Sequence, residues 1–205
     1  MLIRVDEAKK IITPEIAARL AYCCASAFRD WFEEVSDKGR AVSSSRTKAS
    51  FINDHMVHYA KTAFTNLTEA KLIPKYGRYQ LLLKGRLLFK MKKLNHNLRP
   101  SNIPTKTVIN FNAQLMPPKY DTQLRFSNMP DDITHLIAGY KEDSLKTGMS
   151  AFIICPDGKR NHWILPLDFT PLPSEVKSTT LTDSEPPSKP IKRIKPKVKV
   201  RNDSR

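Results

Sequence analysis

Asp54, His55 and His58 fall within a few residues of one another and are the first side chains whose types suggest chemistry. Asp54 and His58 stand four apart, so a helix would bring them to one face, where a carboxylate can hold an imidazole ready for proton transfer. The stretch lacks the second histidine at i+4 that an H-E-x-x-H zinc helix needs. Asp54 and His58 are therefore the catalytic candidates, with a structural or surface ion pair as the plainer reading. Arg46 precedes them and could bring a cation to the same face. Asn95-His96-Asn97 has the letters of a His-Asn-His nuclease, yet such enzymes need a hairpin–helix metal site. Asn and Ser at 95, 97, 101 and 102 are ordinary turn formers.

A metal-dependent nuclease of the restriction type needs an Asp on one strand and Glu-x-Lys on the next, because two carboxylates must hold a divalent cation. The hairpin-like stretch from Arg78 to Lys93 has no carboxylate at all, and Asp121, Asp131 and Asp132 follow no motif. No phosphate-binding glycine loop, dinucleotide fingerprint or nucleophile elbow is present. The expectation is a protein without cofactor or metal, and no reaction is implied.

The distribution of charge is more telling. The chain carries a net charge of +15, and residues 70–120 hold eleven of its Lys and Arg with no Asp or Glu. An even spread of its acids would put about five there. Such a cationic stretch attracts phosphate-rich partners by salt-dependent electrostatics. Lysines that merely guard a sheet edge would explain a few of these cations. A second basic run, from Lys189 to Arg201, includes Lys192, Arg193, Lys195 and Lys197.

The elements that must position these groups can be read from period and punctuation. Thr13-Pro14-Glu15 opens a helix whose apolar residues, Ile16 through Val35, recur at helical spacing, and Asp37-Lys38-Gly39 should end it. A second helix runs from about Lys48 to Phe64. Tyr79–Leu83 and Arg86–Lys92 form a hairpin turning at Lys84-Gly85. A two-residue turn would set Tyr79, Leu81 and Leu83 on one face with Arg86, Leu88, Lys90 and Lys92, and would send Leu82, Leu87, Phe89 and Met91 to the core. Val108–Leu115 fits a helix or a strand. Strands are expected at Thr134–Lys141, Ala151–Cys155 and His162–Leu167, the last two joined at Pro156-Asp157-Gly158, with His162-Trp163 as strand packing.

The fold class is thus α+β, with N-terminal helices on a mostly antiparallel sheet. Residues 1–170 make the domain, and 171–205, rich in Pro and Lys, make a disordered basic tail. Cys23, Cys24 and Cys155 have no C-x-x-C spacing and read as buried, reduced thiols. No apolar run reaches the roughly 18 residues of a membrane span, and the charged N-terminus does not suit a signal peptide. A cytoplasmic protein without a membrane partner is expected.

Three stretches resemble a family of bacterial proteins. They are Arg46-Thr47-Lys48-Ala49 into Asn53-Asp54-His55, Gly85 through Leu94 into Pro100–Thr105, and Ala138-Gly139-Tyr140 through Trp163. The family is encoded near helix-turn-helix regulators and metallopeptidase-like genes in phage-defence or toxin–antitoxin settings. The resemblance spans about residues 45–167, and it implies a cellular setting and no catalytic residues. The functional expectation is a nucleic-acid-associated accessory protein, binding the backbone of DNA or RNA. Its contacts would be Arg86, Lys90, Lys92, Lys93 and Arg99, with Tyr79 as a stacking surface and Lys192, Arg193, Lys195 and Lys197 adding loose affinity. The alternatives are an antitoxin or inhibitor docking on an acidic protein, and a metal-dependent nuclease toxin.

Overall fold

A computed structural model describes residues 2–75, 78–100, 103, 105–115 and 133–169. The tail from 170 onwards, with Lys192, Arg193, Lys195 and Lys197, lies outside the described residues, as do Ser101, Asn102, Asp121, Asp131 and Asp132.

The long helix α2, Pro14–Glu34, begins where its sequence says it should: Thr13 Oγ1 accepts from Ile16 N at 3.4 Å, and Pro14 occupies the first turn. It is preceded by α1, Val5–Ile11, a short element without a side-chain cap. α2 stops earlier than the sequence suggests. Ser36 caps a new short helix, α3, Asp37–Val42, so Asp37-Lys38-Gly39 starts an element rather than ending one. α4, Ser45–Phe64, is capped by Ser44, whose hydroxyl accepts from Thr47 N at 3.1 Å.

Six strands form one sheet in sequence order: β1 Ala70–Lys75, β2 Arg78–Leu83, β3 Leu87–Lys93, β4 Thr134–Glu142, β5 Met149–Asp157 and β6 Arg160–Leu167. Every neighbouring pair is antiparallel except β3 and β4, which run parallel. A parallel pair needs a crossover, and this one contains α5, Lys106–Asn112, capped by Thr105. The undecided Val108–Leu115 stretch is therefore helical through Asn112.

α2 and α4 pack together on one face of the sheet, α2 over β4–β6 and α4 over β1 and β3. Their stripes (Leu20, Ala27, Ile52, Met56) meet Leu83, Phe89, Leu136 and Ile153 in the main core. Burial of each of these Leu, Ile, Met and Phe side chains contributes about 1.5–3 kcal/mol. Cys23, Cys24 and Cys155 are free thiols within it. Burial pushes the thiols of Cys24 and Cys155 up to about 12. Trp163 Nε1 donates to Ile3 O at 2.9 Å and fastens the N-terminal segment to β6.

α5 covers part of the opposite face, where Leu82, Leu88, Ile137 and Ile154 form a second, smaller cluster around Phe111. Phe111 stacks on His135 of β4 with ring centroids 4.4 Å apart. Gln114 clamps the helix end to the sheet: its Nε2 donates to His135 O and Pro156 O, and its Oε1 accepts from His135 N at 2.7 Å. β4, covered on both sides, is buried from Thr134 to Tyr140, which accounts for the lack of polar alternation from Leu136 to Tyr140. No single helix among the described residues is long and apolar enough to cross a membrane.

Candidate nucleic-acid interface and ligand cleft

The β2–β3 turn decides which cations share a face. Leu83 pairs with Leu87, so the connection is Lys84-Gly85-Arg86, one residue longer than a two-residue turn. Lys84 and Gly85 both take left-handed backbone, φ 46° and 65°, and Arg86 N donates to Leu83 O at 2.9 Å. The extra residue slips the register by one and exchanges faces along one strand. Leu81, Leu83, Leu87, Phe89 and Met91 therefore face the α2–α4 core. Leu82 and Leu88 face α5 instead, sharing that side with Lys90 and Lys92. Tyr79 is on the helix side by the same alternation, with Lys61 Nζ 4.1 Å from its ring centroid, and it borders the same opening beside β3 that Lys90 and Lys92 border.

The same alternation sends Lys93 to the opposite side of the sheet from Lys90 and Lys92. It pairs across with Tyr140 on the helix side, and its Nζ donates to Glu142 Oε2 at 2.6 Å. Lys48 reaches the other carboxylate oxygen at 3.0 Å. The Lys48 ammonium lies 4.9 Å from the Phe28 ring centroid and 5.0 Å from that of Phe32. Burial pushes the Glu142 carboxyl up, and the hydrogen bonds and charges of Lys93 and Lys48 outweigh this, leaving it below the ordinary carboxylate value. Lys84 pairs with Glu69 at 3.1 Å. The cations of 70–120 therefore do not all gather on one outer surface.

What remains on the α5 side is a smaller group. Lys90 and Lys92 are half-buried on β3, with Lys90 Nζ 3.5 Å from the Phe111 ring centroid. Lys106 is exposed at the start of α5, and Arg86 and Arg99 are exposed in the loops at either end of β3. Asn95 Oδ1 accepts from the backbone N–H of Asn97 and Arg99, and this turn sets the Arg99 backbone. His96 is an exposed residue of that same turn.

Between β2 and β3 the sheet opens. The β2–β3 ladder ends at Leu81↔Phe89, whereas β2 stays paired with β1 as far as Arg78 and β3 stays paired with β4 as far as Lys93. Arg86 O accepts from Thr134 N and Leu94 N donates to Tyr140 O. The even residues of β3 thus turn their peptide groups to β4, and Met91 turns its own to the gap. The opening is a cleft of about 370 Å³, walled by Val57 of α4, by Val108 and Phe111 of α5, and by Gln80, Lys90 and Lys92. Gln80 is buried, and its Oε1 has no hydrogen-bond partner among the described residues.

Asp54 and His58 are both exposed, and no hydrogen bond joins them among the described residues. The histidine that acquires a carboxylate is His55, whose Nδ1 lies 2.9 Å from Asp30 Oδ2 of α2. Burial, and then the nearby Asp30 carboxylate, push the Tyr59 hydroxyl up to about 12. Glu34 Oε2 is 3.7 Å from His55 Nε2. Asp30, Glu34 and His55 offer ligand atoms within 4.8 Å of one another. The Asp30 carboxylate is already met by His55, as a structural contact between two packed helices requires.

No protein-family model matches the sequence, and no match appears among curated proteins or solved structures.

Proposed function

We propose that this protein binds the phosphate backbone of nucleic acid on the α5 side of its sheet. Lys92, Lys106, Arg86 and Arg99 serve as phosphate contacts, and Lys90 sets positive charge at the cleft. The observation that carries the reading is the juxtaposition of Lys90 and Lys92 with α5, which itself begins at Lys106, in a stretch of chain from 70 to 120 without a single carboxylate. Phosphates are recognised by cations grouped in this way through long-range attraction and direct contact. Tail residues Lys192, Arg193, Lys195 and Lys197 add affinity without specificity. The cellular setting proposed with it is that of the resemblance, an accessory protein of a bacterial or mobile-element defence or toxin–antitoxin system.

Fluorescence anisotropy with a labelled DNA or RNA strand, at 50 and 200 mM salt, tests this. Four contacts on a single strand give a log–log slope near −2.8, which is about a fifty-fold loss over that range. Replacing Lys92 and Arg99 by Gln should flatten the slope by about 1.4, and a Gln variant of the four tail residues separates the tail from the sheet. Binding that ignores salt, or that the Lys92/Arg99 variant leaves unchanged, defeats the proposal. Retention of an acidic protein after nuclease treatment would favour the docking alternative. Metal-dependent cleavage abolished by Asp30→Asn would favour a nuclease, since Asp30, Glu34 and His55 are the metal-ligand grouping among the described residues.

A further inference from the structure

We infer that the cleft between β2 and β3 receives one nucleotide, its base inserted between the splayed strands and its phosphate held at the lysine edge; this rests on the nucleic-acid reading above. Gln80 is only 5 % exposed, lines the cleft, and holds a carbonyl oxygen that accepts no hydrogen bond from any described residue. A buried acceptor without a donor is costly, and an N–H on a ligand relieves it once the Gln80 side chain, whose Oε1 is closed to solvent, turns into the cleft. Apolar side chains meet the cleft from both sides, Val57 from α4 and Val108 and Phe111 from α5, with Asn53, Thr107 and Asn112 as polar neighbours. Lys90 and Lys92 bring positive charge to the same space.

These features discriminate between ligand classes. A fatty or aromatic carboxylate suits the lysines and the walls but offers Gln80 no donor. A sugar offers donors but no flat apolar body. A nucleobase has apolar faces and N–H groups on its edge, and its phosphate supplies the anion. The volume, about 370 Å³, is within the usual range for small-ligand sites. The nucleotide could be free or part of a strand, and the cleft chemistry is the same for both. In a strand, the base must be unstacked to enter, so single strands are favoured over duplex.

The test is calorimetric titration of the full chain with four probes: a single-stranded decamer, the same decamer with abasic positions, its duplex, and the free nucleoside monophosphates. Wild type should bind the base-bearing strand about ten-fold more tightly than the abasic one, and Gln80→Leu should lose that difference. The variant should keep duplex affinity and melt no lower than wild type, because its change removes an unmet acceptor. Thr107→Trp, at an exposed position lining the cleft, should block entry in the same way and covers the case in which Gln80→Leu does not fold. Equal wild-type binding of base-bearing and abasic strands overturns the inference and leaves the phosphate-binding face standing. Failure of every strand to bind overturns that face. Gln80-dependent binding of a free monophosphate would then support the cleft alone, and no binding of it would overturn the cleft too.

Discussion

Glu142→Gln is the most informative single change for the distinction between structural and phosphate-binding lysines. The Glu142 side chain is 8 % exposed, with Lys93 and Lys48 at 2.6 and 3.0 Å and themselves 21 % and 12 % exposed. Removing one charge from a buried pair usually costs about 3–5 kcal/mol, because the other is left uncompensated. Here Lys93 retains some access to water, and Lys48 keeps its aromatic neighbours and the Lys146 carbonyl at 3.3 Å. The expected loss is therefore smaller, about 2–3 kcal/mol. Followed by circular dichroism in urea at pH 7, that lowers the midpoint by about 1 M. The sign of the pH dependence is fixed by the depressed folded-state value of Glu142. Its contribution is complete above the unfolded-state value near 4.3 and fades as pH falls through the lower folded value. The gap between wild type and variant should thus be constant near neutrality and close in acid. An unchanged midpoint at pH 7, or a gap that persists undiminished at pH 2, would refute the reasoning and return Lys93 to the set of available cations.

Three further outcomes follow from the packing. Gly139→Ala should destabilise by about 2–3 kcal/mol in the same urea assay, because a Cβ there would meet the Lys92 carbonyl oxygen at 2.3 Å. Asp30→Asn should cost about 2 kcal/mol by weakening the bond to His55, whereas Asp54→Asn and His58→Ala should stay within about 0.5 kcal/mol; the reverse order would restore the exposed pair as the important one. A thiol reagent such as DTNB should leave Cys23, Cys24 and Cys155 unmodified in the native protein at pH 8 and label all three in denaturant, since burial raises each thiol's pKa.

Local signals carried much of the architecture. Thr13-Pro14-Glu15 marks the start of α2 by capping chemistry alone, and Asp157-Gly158-Lys159-Arg160 closes β5 on β6 through Gly158 at φ 57°. α1 and β1 lacked such signals. α1 is seven residues without a side-chain cap, held by tertiary contacts of Ala8 and Ile11. β1 contains Pro74, which argues against a strand unless, as here, it lies at the sheet edge.

The candidate site was less legible, because two facts about it are non-local or exceptional. Lys84 adopts a left-handed conformation that glycine normally takes. The turn is thus a residue longer than Lys84-Gly85 suggests, and that slip alone moved Tyr79 to the other face. Lys90 and Lys92 still share a face, since the alternation within β3 does not depend on the turn. The partner of His55 is Asp30 on another helix, beyond reach of i,i+4 reasoning, although an acid inside the apolar stripe of α2 was a visible clue. Gln80 shows nothing unusual in sequence and becomes notable only because β2 and β3 part after Leu81↔Phe89.

Ultraviolet crosslinking of a 4-thiouridine-containing decamer to the full chain, read by mass spectrometry of the digested protein, addresses the binding face most directly. Attachment should concentrate on peptides covering β3 and α5, around Lys90–Lys92 and Lys106–Asn112. Crosslinks on the outer surfaces of α2 and α4, or confined to residues 189–201, would contradict it.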